Sequence, residues 1–340
     1  MKRSLHGDGD HPEIAVTLHA LGNLSRQAGD LTQAKQNFDE SLRMKRSLHG
    51  DGDHPEIAVT LHALGNLSRQ AGDLTQAKQY FDESLRMKRS LHGDGDHPEI
   101  AVTLHALGNL SRQAGDLNQA KQYCNDSLRM KRSLYGDTDH HQISVTLNEL
   151  GNLSRQAGDL TQAKQYFDES LRMKRSLHGV GDHREIAVTL HALGNLSRQA
   201  GDLTQAKQYF DESLRMKRSL YGDGDHPDVA ETLHDLGNLS RQTGDLKQAK
   251  KYLDECLRMI RSLHGDRDHP DIAATLHELG NLSQQAGDLT QAKQYFDESL
   301  QMGRSFHEDR DHPYLYIAGT LRELGSLSRE TGDLRQAEQY

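Results

Sequence analysis

Apolar residues in this chain fall at helical intervals. Within residues 55–70, Ile57, Leu61, Leu64 and Leu67 stand at spacings of 4, 3 and 3. That spacing puts them on one face of an α-helix. A second stripe follows in Leu74, Ala77, Phe81, Leu85, Met87 and Leu91. The pattern predicts a helix A from about Pro55 to Gln70. A tight Ala71-Gly72-Asp73 turn follows it, and then a longer helix B. Asp73 is the expected N-cap of helix B, with Gln76 three residues on in a variant of the capping box. Pro55 suits the first turn of helix A. Gly50 closes the preceding helix in the C′ position. So short a turn makes the two helices antiparallel neighbours.

The pattern then repeats. Met1, Met44, Met87, Met130, Met173, Met216, Met259 and Met302 mark a 43-residue period over seven units and a truncated eighth. A helical period of this length signals a solenoid rather than a set of globular domains. Residues 1–340 are therefore expected to form a single array in which each unit touches only its neighbours. Repeat one carries only six Leu with Ile14, Val16 and Phe38. That apolar content is close to the disordered range, and periodicity is what makes a core possible. Gly65 recurs mid-helix in every unit, although glycine there costs about 0.8–1 kcal/mol against alanine. Close packing against a neighbouring helix is the expected reason. Met1 is in phase with Met44, and the eighth helix B breaks off at Tyr340. The chain therefore reads as an excerpt of a longer array. Two residues are inserted near Tyr314-Leu315.

The formal charge of −9 is spread over the units. No basic block marks a nucleic-acid binder, no run approaches the roughly 20 apolar residues of a membrane span, and MKRSLHGDGD lacks a signal-peptide core. Cys124 and Cys256 replace Phe and Ser three units apart, too far for a disulfide. Two free, buried thiols suit a reducing, cytoplasmic setting. The loop His49-Gly50-Asp51-Gly52-Asp53-His54 has metal-ligand residue types. It is too short for an EF-hand, and it is what a turn requires. LSRQAGDLTQAK looks loosely like a DNA-binding helix-turn-helix, which the net charge and the need of each helix for stacking oppose. No nucleophile and base are confined to one unit, and no glycine-rich phosphate loop appears. Catalysis, metal and cofactor are therefore not expected.

The order Leu61, Leu64-Gly65, Gly72, Ala77, Phe81, Ser84-Leu85 resembles the tetratricopeptide repeat. The preceding His-Pro-Glu-Ile-Ala-x-Thr-Leu and the long helix B are similar to the kinesin light chain type, also found in nephrocystin-3-like proteins. Ser68 stands where an aromatic is usual and Arg89 where shorter repeats have Pro. The resemblance implies an all-α, right-handed superhelical solenoid of antiparallel helix pairs. It also implies a concave surface lined by helix A. In kinesin light chains the groove asparagine sits where this chain has Ala63, so their cargo preferences are not implied.

On helix A, the face away from the leucines carries Val59, His62, Asn66 and Arg69. Stacking copies this stripe into ladders. The groove is expected to comprise His62, Asn66, Arg69, His105, Asn109, Arg112, Asn152, Arg155, His191, Asn195, Arg198, His234, Asn238 and Arg241. Asparagine can pair with an extended backbone, and arginine offers forked donors to carboxylates. The expected function is a non-catalytic scaffold that binds an extended, acidic protein or peptide segment. Exposed histidines would strengthen that binding as pH falls. One alternative is a sensor array whose effector domain lies outside this chain. Another is a spacer without a ligand, in which the stripe is only a solvated face copied by duplication.

Overall fold

The structure is a computed structural model that describes residues 11–50, 52–93, 95–136, 138–179, 181–222, 224–265, 267–305 and 315–330. Fifteen α-helices and no strands occur among the described residues. The first eight are α1 Pro12–Gln27, α2 Leu31–His49, α3 Pro55–Gln70, α4 Leu74–His92, α5 Pro98–Gln113, α6 Leu117–Tyr135, α7 His141–Gln156 and α8 Leu160–His178. The rest are α9 Arg184–Gln199, α10 Leu203–Tyr221, α11 Pro227–Gln242, α12 Leu246–His264, α13 Pro270–Gln285, α14 Leu289–Ser305 and α15 Leu315–Glu330. Odd-numbered helices are the A helices and even-numbered ones the B helices. Asp51, Tyr314 with its insertion, and the last helix ending at Tyr340 lie outside the described residues.

The boundaries expected for helix A are met residue for residue. His54 caps α3 through its side chain, Nδ1 accepting from the Glu56 amide at 3.3 Å. Its ring also stacks on His49, the last residue of α2, at 3.6 Å between centroids. The Asp53 carboxylate pairs with Arg86 at 2.9 Å. These residues of the metal-like loop therefore serve turn and cap. At the A–B turn Gly72 takes φ of +86°, a conformation that glycine adopts without strain. The Asp73 amide then bonds Ser68 O at 2.9 Å, and its carboxylate caps Gln76 N at 2.9 Å.

Within a pair, the Ser84 hydroxyl donates to Ala58 O at 2.7 Å, pinning helix B to helix A. Gly65 faces the Phe81 ring so closely that a Cβ would lie 2.7 Å from it. The missing side chain makes room for the phenylalanine.

The chain divides into two compact bodies, residues 1–177 and 178–340. In each, the core lies between successive pairs. One cluster of the first body joins Phe38 and Leu42 of α2 to Ile57, Leu61 and Leu64 of α3 and Met87 of α4. The second body repeats this with Phe210 and Leu214 of α10 against Val229, Leu233 and Leu236 of α11. Cys124 and Cys256 are free and buried, and burial pushes both thiols up to about 12.

Candidate functional site

The helix-A stripe is positioned by the leucines behind it. Leu61 and Leu64 are buried, so His62, Asn66 and Arg69 turn toward the edge of the core and are half-buried. In the first body each histidine points into the junction with the next repeat. The His62 ring stands edge-on to Phe81, centroids 5.3 Å apart. Its Nδ1 lies 3.3 Å from Thr103 Oγ1. Lys88 Nζ donates to the same oxygen at 2.9 Å, and the Thr103 hydroxyl donates to Glu99 O at 2.9 Å. The same relay joins Lys45, Thr60 and His19, and Lys131, Thr146 and His105.

These contacts correct the expectation of exposed, titrating histidines. Burial, and then Lys88, lowers the His62 pKa to about 3. Burial, Lys131 and Arg69 lower His105 to about 4. The buried lysines fall outside both apolar stripes of the sequence, which assign them no role. Lys45, Lys88, Lys131 and Lys217 are each at most 3% exposed. One signal could have found them: Ile260 occupies the same register, and an isoleucine alternating with lysine marks a core-facing position.

The arginines divide by what faces them. Arg112 Nε pairs with Glu149 at 2.5 Å. In the second body Arg241 pairs with Glu278 at 3.2 Å. Arg198 lies 3.6 Å from Asp235, which also receives the Asn195 amide at 3.3 Å and His191 Nε2 at 3.0 Å. Glu149, Asp235 and Glu278 occupy the register of Ala63 and Ala106. Arg26 and Arg69, whose next repeats carry Ala63 and Ala106 there, pair with no carboxylate among the described residues. Among the described residues Arg69 is in no ion pair, and Nε of Arg26 and Arg69, like that of Arg198 and Arg241, is buried without a hydrogen-bond partner. Burial, then the neighbouring Arg112 and Arg26, lower the Arg69 pKa, while Glu149 opposes the shift. Asn66 and Asn152 are half-buried, and Asn109 Oδ1 is buried and unpartnered. Arg155 is half-buried. Asn238 is buried at 8% exposure, its amide 3.4 Å from His234 Nδ1. The stripe is therefore three things: histidine in the junctions, arginine partly neutralised, and asparagine partly open.

Among the described residues no helix is long and apolar enough to cross a membrane. Among curated proteins none matches the sequence. Structural neighbours share the fold at low identity. The apo quorum sensor NprR from B. thuringiensis matches with a TM-score of 0.71 and 13% identity, over 100% of this chain and 88% of its own. BtubC (BKLC) from P. vanneervenii matches with a TM-score of 0.55 and 17% identity, over 76% and 94%. A protein of nearly identical kinesin-light-chain TPR-like repeats from Podosopora anserina matches with a TM-score of 0.52 and 14% identity, over 63% and 100%. The tetratricopeptide repeat family model matches residues 13–90, 56–133, 99–176, 142–219, 185–262 and 228–305 in overlapping windows. With the paired helices, the 43-residue period and the glycine–phenylalanine contact, these matches establish that the chain belongs to the tetratricopeptide repeat family, with repeats like those of kinesin light chains.

Proposed function

We propose that this chain is a non-catalytic interaction scaffold that takes an extended, acidic peptide segment along the A helices of its first body. One observation carries the reading. Arg26 and Arg69 keep half-buried guanidinium groups with an unmet Nε, as Arg198 and Arg241 do, but without the carboxylate those two have among the described residues, in a chain whose net charge is −9. A half-buried cation without a counter-charge is costly, and a bound carboxylate relieves that cost by charge-assisted, forked hydrogen bonds. Asn66 and Asn109 stand one step along the same face and can pair with the backbone of an extended segment. Arg112 already has Glu149, so the acidic preference rests on Arg26 and Arg69. An effector domain joined to the array would make the same groove a sensor.

The test is a set of matched acidic, neutral and basic peptides titrated against the full chain by calorimetry. Acidic peptides are expected to bind best and to weaken as salt screens the charges. Arg26→Gln with Arg69→Gln should weaken them by about tenfold or more, in line with the ~1.5–3 kcal/mol of a charged hydrogen bond. A preference for basic peptides, or affinity indifferent to both substitutions, would overturn the proposal.

A further inference from the structure

The junction between α12 and α13 departs from the relay seen elsewhere. At four junctions a helix-B lysine places Nζ on a threonine hydroxyl at 2.7–2.9 Å. Here Ile260 stands in the lysine register, Cys256 in that of Ser84, and Ala274 in that of Val102. The threonine remains. Thr275 donates to Asp271 O at 2.8 Å, and its only other bonded neighbour among the described residues is Cys256 Sγ at 3.7 Å.

What opens is a cavity of about 340 Å³. Ile260 and Leu263 supply apolar walls, and Asp228, Glu231, Asp235 and Asp271 supply carboxylates. No lysine or arginine lines it. Asp228 is already bonded by Arg184 at 3.1 Å and by Tyr221 at 3.0 Å. Asp235 is held by His191, and Glu231 lies 3.8 Å from Lys217 and from His191. The Asp271 side chain is 71% exposed, with the His269 ring at 3.7 Å and the His264 ring, which also lines the cavity, within 4.8 Å. His234 also lines the cavity, and its Nε2 is buried without a hydrogen-bond partner.

We propose that this cavity binds the lysine side chain of an extended peptide partner. The alkyl stem lies on Ile260 and Leu263, while the ammonium donates to Thr275 Oγ1 and faces Asp271. The rest of the chain supplies the template for this chemistry. Lys88 Nζ sits 2.9 Å from Thr103 Oγ1 and 4.0 Å from Glu99, which are the registers of Thr275 and Asp271. Lysine fits this place because it joins a long apolar stem to a compact three-donor head. The site is separate from the acidic-peptide groove and does not rest on it.

The probe is an acetylated, amidated heptapeptide with one central lysine among alanine and threonine. Its side-chain NMR signals are followed as the full chain is added. Saturable broadening is expected, with affinity falling about tenfold when norleucine replaces lysine. Ile260→Lys restores the relay that four junctions already tolerate, and should abolish binding while helicity and Tm hold. Asp271→Asn is the milder variant and should weaken binding severalfold. Equal binding of the norleucine peptide, or binding unchanged in both variants, overturns the proposal. n-Butylammonium competing as well as the peptide at equal concentration also overturns it, because the site would then take free alkylamines rather than a peptide side chain.

Discussion

A hydroxyl has one proton to give and two lone pairs to fill, and Thr103 uses all three. Its proton goes to Glu99 O, one lone pair takes Lys88, and the other faces His62 Nδ1. His62 is therefore the neutral Nδ1–H tautomer, donating to Thr103. The sign of its linkage follows. His62 and His105 have folded pKa values of about 3 and 4, below the unfolded value of about 6.5. Between those limits the unfolded chain binds more protons. Their contribution is therefore full above pH ~6.5 and lost as pH falls toward the folded values, on the order of a few kcal/mol together. Replacing both by Asn, the residue repeat four carries at 148, should flatten that acid limb in urea titrations between pH 4 and 7. A steepening would refute the tautomer and its burial. For the same reason, acidic-peptide affinity in the first body is expected to stay level from pH 8 to pH 6. Gly151→Ala gives a second residue-scale test. Helix propensity alone favours alanine by about 0.8–1 kcal/mol. The new Cβ, however, would meet the Phe167 ring at 2.6 Å, and overpacking costs roughly 1–3 kcal/mol. Net destabilisation in urea melts is expected.

At the scale of the element, the unit of stability is the junction between one helix pair and the next. Phe81 and Leu85 of α4 pack with Ile100, Leu104 and Leu107 of α5, and Lys88 is buried at their edge. A buried ammonium resting on a hydroxyl gives up more hydration than it regains, which is why burial lowers the Lys88 pKa. Replacing such a group by an apolar one of similar size is neutral or stabilising by roughly 1–4 kcal/mol. Lys88→Ile, the residue the chain itself uses at 260, should therefore hold or raise the midpoint of urea unfolding. Thr103→Val should lower it by about 1–3 kcal/mol, because the ammonium loses its acceptor. A large loss of stability in Lys88→Ile would show that the relay holds the junction together rather than specifying its register.

For the molecule as a whole, near-identical neighbours imply nearest-neighbour energetics. Leu107 and Leu110 are buried at 1% and 4% exposure, and each truncation to alanine removes packing worth about 2–5 kcal/mol. The double variant should break cooperativity around α5 and α6, so that urea melts followed by hydrogen exchange show two zones of protection. One sharp transition with an unchanged slope would count against a quasi-linear array. The binding chemistry is distributed in the same repeat-by-repeat way. The first body keeps Arg26 and Arg69 without a carboxylate among the described residues but sets Glu149 against Arg112, whereas the second sets Asp235 and Glu278 against Arg198 and Arg241 and opens an acid-lined cavity beside Ile260. Copies of one repeat thus carry opposite local charge, decided by a few substitutions.

Periodicity, turn and cap chemistry were legible in the sequence because they depend on neighbours a few residues apart. The stripe Ile57, Leu61, Leu64, Leu67 dictates helix A, Gly72 and Asp73 dictate the turn, and the 43-residue recurrence dictates stacking. The need for Gly65 could be read as well, though not the aromatic ring it admits. The direction a polar side chain takes could not be read, because it depends on residues some 15 to 41 positions away. Lys88 reaches Thr103, and His62 meets the same threonine. A histidine beside an arginine on a helical wheel looks solvated until the next repeat packs over it. Whether Arg69 stands without a carboxylate or Arg112 is neutralised turns on Ala106 against Glu149, one repeat further along the chain. Local sequence determined the helices and their order. Tertiary packing decided which charges are buried, which are paired and which remain open to a ligand, because hydration and Coulomb energy depend on distance in space and not along the chain.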